Sequence, residues 1–167
     1  MSQEKINQPE FTHFDDAGNA IMVDISEKKV TTRVAIATGE IKMSQAATQA
    51  ILSGTVKKGD VLGVARVAGI MAVKNTATMI PMCHPLLISS SAIDFSVCPD
   101  NGLVEARCTV KIEGKTGVEM EALTGVTAAL LTIYDMVKAI DKEMVISNVM
   151  VTEKTGGKSG VYKRDAR

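Results

Sequence analysis

Asp135 and Lys138 are the two residues of this chain whose types and spacing best suit proton transfer. They are three positions apart in an apolar stretch that predicts a helix from about Val118 to Ala139, so their side chains project from the same helix face. The apolar neighbours predict a half-buried lysine with a lowered pKa, able to act as acid or base near neutrality. The alternative is a solvated ion pair worth roughly a few tenths of a kcal/mol, and the local sequence alone favours it.

Lysines scattered along the chain are candidates for binding an anion. They are Lys58, Lys74, Lys138 and Lys154, and their default interpretation is as solvated surface residues. Gly157-Lys158-Ser159 resembles the end of a phosphate-binding P-loop, but that motif needs a glycine where Thr152 stands and a helix after it. A nucleotide-triphosphatase loop is therefore excluded, and any anion site has to be a local cluster of lysines.

Met82, Cys83 and His84 stand between Pro81 and Pro85, which hold them in a non-helical connection. A zinc site needs more ligands than this segment offers, since no second Cys or His follows at ligand spacing. Cys and His side chains adjacent in sequence also rarely face each other productively as a nucleophile pair. A histidine that hydrogen-bonds a polar ligand is the better interpretation, and no metal is expected.

Met120 and Glu121 lie near the start of the predicted helix that carries Asp135 near its end. Glu121 precedes Asp135 by 14 residues, which is roughly 21 Å at the α-helical rise of about 1.5 Å per residue. The two side chains therefore cannot reach one small reacting group from a single chain. Either they bind opposite ends of a long ligand, or an oligomer completes the site across an interface.

The composition is that of an ordinary soluble globular protein. The chain has 167 residues, of which 46% are hydrophobic and 23% charged, and its formal net charge is zero. A neutral chain with 3% aromatic residues lacks the basic field and the stacking platforms of nucleic-acid-binding proteins. Three cysteines without paired spacing, short apolar runs and no secretory signal predict a cytoplasmic protein that binds neither nucleic acid nor membranes.

Hydrophobic periodicity predicts the elements that must position these residues. Strands are expected at 30–41, 87–98, 103–113 and 144–152, a first strand or a docked extended segment at 20–26, and helices at 44–53, 61–79 and 118–139. This order lacks repeated parallel crossovers and predicts an α+β fold, a ferredoxin-like antiparallel sheet with helices packed on one face. One catalytic domain is expected over residues 21–155, with flexible segments at 1–20 and 156–167.

Five longer stretches of the chain resemble one protein family. They are residues 14–24, 82–86, 115–124, 131–139 and 154–160. Together and in this order they are similar to the molybdenum cofactor biosynthesis protein C family, and the resemblance covers nearly the whole chain. Several long motifs in the right order are far more specific than any one of them, and no matched position departs from the family pattern.

The resemblance implies a phosphorus–oxygen lyase of molybdopterin synthesis. The expected reaction converts 3′,8-cyclo-7,8-dihydroguanosine 5′-triphosphate into cyclic pyranopterin monophosphate, a pterin, and releases pyrophosphate. The resemblance also implies a hexamer built as a trimer of dimers, with its site at a subunit interface. A radical iron–sulfur enzyme would hand on the substrate. No redox cofactor would be required, although Mg²⁺ can accompany the triphosphate.

The resemblance assigns roles to the residues singled out above. Asp135, Lys138 and Lys58 would be catalytic. Asp135 and Lys138 would be the acid–base pair that moves protons as the purine-derived ring opens and the pterin ring closes, and Lys58 would help to hold the triphosphate. Substrate binding would fall to Arg33, Lys74 and Lys154 on the triphosphate and to Met82, Cys83, His84, Met120 and Glu121 on the ring system. Two alternatives stay open: a non-catalytic nucleotide-binding or scaffold subunit, and a cyclohydrolase that acts directly on GTP.

Overall fold

Five antiparallel strands form a single sheet in this computed structural model, which describes residues 17–158 and 160–165. The strands follow the order β2-β3-β1-β4-β5 across the sheet. Their bounds are β1 Thr31–Lys42, β2 Ser90–Cys98, β3 Leu103–Gly114, β4 Val145–Thr155 and β5 Tyr162–Lys163. The helices are α1 Gln45–Leu52, α2 Val61–Lys74, α3 Thr76–Met79 and α4 Glu119–Val137.

Side chains alternate between two faces of the sheet. On β1, Ala35, Ala37 and Ile41 are fully buried, and the even-numbered residues from 34 to 40 are partly exposed. β3 pairs with β1 in antiparallel register and alternates in phase with it. The helices cover the buried face, and α4 contacts β1, β3 and β4. The predicted α+β fold with helices packed on one face of an antiparallel sheet is confirmed.

Helix α4 is the central helix of the core. Its fully buried residues include Val126, Ala129, Leu130, Ile133 and Val137. Within the described part of the chain it is the one helix long and apolar enough to cross a membrane, but half of its apolar stretch is buried inside the fold. That burial is what the core helix of a globular protein shows.

Two glycines let α2 and α4 approach each other closely. A Cβ at Gly69 would lie 2.9 Å from the carbonyl oxygen of Gly125. A Cβ at Gly125 would lie 2.6 Å from Cγ2 of Val73 and 2.8 Å from Sγ of Cys108. Because no side chain fits in this space, one helix backbone lies directly against the other. The contact explains why α2 is rich in small residues.

Gly125→Ala is expected to lower the free energy of unfolding by about 1–3 kcal/mol, the usual cost of overpacking a core. The added methyl group has to displace Val73 or Cys108, both of which are buried. Chemical denaturation measures the effect, with Thr127→Ala as the control because Thr127 is a half-buried residue of the same helix. Equal unfolding free energies for Gly125→Ala and the wild type would contradict the close approach of the helices.

The helix predicted over 61–79 is interrupted in the structure. Asn75 separates α2 from α3, and its side-chain Nδ2 donates a hydrogen bond to the carbonyl oxygen of Met71. Short polar side chains that bond to the backbone in this way compete with the helical pattern. The prediction of one continuous helix is therefore wrong, because the helix breaks directly after Lys74.

No strand forms over 20–26, apart from an isolated bridge at Ala20. The segment is a docked extended one, because its backbone acceptors meet side chains rather than a neighbouring strand. Within the predicted C-terminal flexible segment, Tyr162–Lys163 pairs with β4. Residues 1–16, 159 and 166–167 lie outside the described residues, and the flexibility of both end segments stays a prediction.

Candidate active site

Asp135 lies between two lysines near the C-terminal end of α4. Its Oδ2 is 2.7 Å from Nζ of Lys58, and its Oδ1 is 2.8 Å from Nζ of Lys138. Lys58 also donates a hydrogen bond of 2.8 Å to the Asp135 carbonyl oxygen, which the helix end leaves without a backbone partner. Lys58 reaches this position from the turn before α2, where Gly59 has a φ of 95° that favours glycine. One carboxylate thus joins two ammonium groups from distant parts of the sequence.

The opposite charges of Asp135 and its lysine partners stabilise the ionised forms of Asp135 and Lys138. Hydrogen bonds from Lys138 and from Lys58 lower the pKa of Asp135 to about 2, so the group is a carboxylate at neutral pH. The same carboxylate raises the pKa of Lys138. The expectation of a half-buried lysine with a lowered pKa is wrong for the single chain, because the Lys138 side chain is 52% exposed and its neighbour stabilises the ammonium. While Asp135 is ionised, Lys138 keeps its proton at neutral pH and is a proton donor rather than a base.

A second cluster surrounds a cavity at the opposite, N-terminal end of α4. The cavity has a volume of about 290 Å³. Five residues predicted for substrate binding contribute to its walls: Met82, Cys83, His84, Met120 and Glu121. The loop 82–86 and the start of α4 therefore come together in space as the ring-binding prediction requires.

Glu121 is the buried acid of this cavity, with only 4% of its surface exposed. Burial is the main cause of its raised pKa, and the charge of Glu119 raises that pKa further. Burial and the proximity of Glu121 also raise the pKa of Cys83. A thiol held in its protonated form is a poor nucleophile, so Cys83 suits contact with a ligand better than covalent catalysis.

Lys154 and Arg33 border a smaller cavity of about 150 Å³ that shares Glu119 with the first. Nζ of Lys154 is 2.9 Å from Oε1 of Glu119. Arg33 donates hydrogen bonds of 3.1 Å to the carbonyl oxygens of Gly114 and Lys115. Arg33 therefore holds the loop that leads into α4, whereas Lys154 has a carboxylate partner that an anionic ligand can replace.

Apart from Lys74, the predicted site residues thus form two groups at opposite ends of one helix. Asp135 and Glu121 are separated by roughly 21 Å of helical rise. Lys74, the last residue of α2, lines neither of the two cavities at the start of α4. Within residues 17–158 and 160–165, no three His, Cys, Asp or Glu side chains are grouped to hold a metal ion.

Residues 22–157, which contain both groups, match the MoaC family. The chain belongs to the MoaC family. A cyclic pyranopterin monophosphate synthase from Clostridium perfringens (strain 13 / Type A) is 58% identical over 151 residues, which are 90% of this chain and 96% of the relative. A protein of the same name from Clostridium botulinum (strain Alaska E43 / Type E3) is 59% identical over 91% of this chain and 96% of the relative. Another from Thermoanaerobacter sp. (strain X514) is 56% identical over 92% of this chain and 98% of the relative.

Membership of the MoaC family confirms the resemblance to the molybdenum cofactor biosynthesis protein C family. Three of the five motifs that carried the resemblance lie at the ends of α4, with residues 82–86 and 115–124 at one end and 131–139 at the other. The individual roles of the site residues stay predictions.

Three residues in or beside the cavities of this MoaC protein were missed by the sequence reasoning. Glu119 pairs with Lys154 and lines both cavities. Lys28 also lines the larger cavity, and Lys115 donates a hydrogen bond of 2.6 Å to the carbonyl oxygen of Ser26. Glu119 and Lys115 lie in a stretch that carries the family resemblance, which is the signal that points to them. Nothing in the pattern around Lys28 singles it out.

Proposed function

We propose that this chain is a cyclic pyranopterin monophosphate synthase whose active sites are each shared by two subunits. The observation that carries the proposal is the separation of two chemically complementary groups along α4. The lysine–carboxylate cluster at Asp135 is suited to proton transfer, and the cavity at Glu121 is suited to holding a ring. Since about 21 Å separates them within one chain, a second copy brings the Asp135 cluster of one subunit to the cavity of the other.

Asp135, Lys138 and Lys58 perform the proton transfers in this proposal. The Asp135 carboxylate holds both ammonium groups within 2.8 Å and fixes their direction. Lys138 gives its proton to the purine-derived ring as it opens, and it can take a proton back as the pterin ring closes. Closure of a partner over the cluster would remove water and make the ammonium easier to deprotonate.

The cavity at the start of α4 binds the ring system in this proposal. Glu121 accepts hydrogen bonds from guanine-type N–H donors, and such bonds stabilise its carboxylate form against burial. Met82 and Met120 provide apolar, adaptable walls. His84 supplies a further polar contact to the ligand.

The triphosphate is held by cations beside the ring in this proposal. Lys154 exchanges its Glu119 partner for a phosphate oxygen, and Lys74 contributes from another subunit or from the far end of the ligand. Arg33 acts on the phosphates both by its charge and through the loop it holds. Neutralising the departing pyrophosphate favours its release. No resident cofactor is included, and Mg²⁺ enters only with the triphosphate.

Exposed apolar side chains on the helical layer support assembly through this surface. They are Val64, Val67, Met71, Met79 and Leu131. An apolar cavity of about 270 Å³ between α3 and α4 belongs to the same layer, and such surfaces mark interaction sites. We place the subunit contact here, within a hexamer built as a trimer of dimers. The proposal also includes a cytoplasmic location and a radical iron–sulfur enzyme as the source of substrate.

Incubation with the purified cyclic triphosphate tests the proposed reaction. We expect pyrophosphate and a cyclic monophosphate pterin in equal amounts, detected by phosphate assay and by fluorescence after oxidation. GTP alone should give no pterin, which separates the synthase from a cyclohydrolase. Binding of the cyclic triphosphate without any product would instead support a non-catalytic nucleotide-binding subunit.

A further inference from the structure

The segment Val23–Ser26 crosses the wall of the larger cavity as a strap held by two side chains. The carbonyl oxygen of Val23 is 3.0 Å from Nε2 of His84. The carbonyl oxygen of Ser26 accepts a hydrogen bond of 2.6 Å from Nζ of Lys115. Val23 and Ile25 line the cavity together with His84. The strap is therefore part of the site, although it contributes mainly backbone groups.

Two local contacts shape the strap itself. Oδ1 of Asp24 accepts a hydrogen bond of 2.8 Å from the Ser26 amide, and hydrogen bonds from Ser26 lower the pKa of Asp24. The amide of Lys28 donates a hydrogen bond to the carbonyl oxygen of Ile25, which closes a turn. Asp24 and Lys115 therefore both fix the backbone that carries the Val23 carbonyl.

The contact with Val23 determines which ring nitrogen of His84 carries the proton. A carbonyl oxygen can only accept a hydrogen bond, so Nε2 has to be the donor. In the neutral imidazole the other nitrogen, Nδ1, is then an acceptor. No hydrogen bond reaches Nδ1 from the described residues, and His84 lines the cavity. The charged or thiol groups that share the cavity are Lys28, Cys83, Glu119 and Glu121.

We infer that Val23–Ser26 is a positioning strap that holds His84 with its proton on Nε2 and presents Nδ1 as a hydrogen-bond acceptor to the ligand. Glu121 is also an acceptor in this cavity, so a ligand edge rich in N–H or O–H donors fits both. This role in ligand recognition rests on the proposed function, whereas the position of the proton does not. Backbone carbonyls that orient a histidine through its second nitrogen act in the same way at other sites.

Nitrogen-15 NMR of the full-length protein tests the strap without any need for turnover. At about pH 8, above the ordinary histidine pKa of about 6.5, we expect the His84 ring to show one protonated nitrogen, Nε2, with a slowly exchanging proton. The chain has only one other histidine, His13, and His13→Gln identifies its signals. A His84 proton located on Nδ1 in the wild type would overturn the inference.

The double variant Asp24→Ala/Lys115→Met removes both contacts that fix the strap. We expect the Nε2 proton of His84 to exchange with solvent at least about tenfold faster, the scale set by losing one hydrogen bond, and the two tautomers to mix. The control is Asp94→Ala/Lys111→Met, because both residues are exposed on the neighbouring strands β2 and β3. Unchanged exchange in a folded double variant would overturn the inference. If that variant does not fold, the position of the His84 ring proton in the wild type is the test of the inference.

Discussion

Asp135→Asn is expected to lower turnover of the cyclic triphosphate by about 100- to 10,000-fold, the range for loss of acid–base catalysis. The amide keeps the size of the side chain and removes the charge that holds Nζ of Lys58 and Nζ of Lys138 within 2.8 Å. Without the carboxylate the two ammonium groups repel each other and lose their common direction. The pKa of Lys138 should fall, because the hydrogen bond that its ammonium donates to Asp135 is the main cause of its raised value.

Product formation at saturating substrate measures this loss, and Asp94→Asn, an exposed substitution on β2, is the matched control. Near-normal turnover by Asp135→Asn would contradict the catalytic role and favour a structural ion pair. Lys138→Ala is the companion variant, since it removes the proposed proton donor and leaves the carboxylate paired with Lys58.

The stability of Asp135→Asn separates a catalytic loss from an unfolded protein. The pKa of Asp135 is about 2 when folded and about 3.9 in an unfolded chain. The ion pairs therefore stabilise the fold above about pH 4, and that contribution is lost as the pH falls through 2. Since the cluster is exposed and solvent screens it, thermal unfolding at neutral pH should shift little. A large drop in the unfolding temperature would point to a structural role.

Much of the fold follows from local patterns in the sequence. The alternation from Val30 to Ile41 and the Pro99-Asp100-Asn101-Gly102 turn predict β1 and the β2–β3 hairpin, because period-two patterns and turn residues act over a few positions. The break at Asn75 was missed because apolar residues continue on both sides of it. For 20–26 the sequence left a strand and a docked extended segment open, because the choice depends on side chains from distant segments that bond to its acceptors.

The site was predictable where its geometry is local to one helix. Asp135 and Lys138 are three residues apart, and helical periodicity places them together. Lys58 joins them from 77 positions away, a contact that no local pattern encodes and that only the family resemblance suggested. The predicted direction of the Lys138 pKa shift was wrong, because the hydrogen bond to Asp135 raises the pKa and because the apolar neighbours suggested more burial than the 52% exposed side chain has. Most of those neighbours, such as Leu130, Ile133 and Val137, face the core, while the ion pair faces outward.

Mixing two inactive variants, Glu121→Gln and Asp135→Asn, is expected to restore activity that neither has alone. In a twofold dimer each site takes the Asp135 cluster from one subunit and the Glu121 cavity from the other. A hybrid dimer then contains one site with both wild-type groups and one site with neither. Random exchange makes half of the dimers hybrid, so the mixture should recover about a quarter of wild-type turnover.

The matched control mixes Asp135→Asn with Lys138→Ala, whose positions belong to one cluster on one subunit. Every site in that hybrid carries one defect, so subunit sharing predicts no recovery from this pair. Native mass spectrometry verifies that hybrids form in both mixtures. If verified hybrids of Glu121→Gln and Asp135→Asn stay inactive, each chain must use both ends of its own α4. In that case one ligand would have to span the roughly 21 Å between the two ends of α4, and the shared site would be excluded.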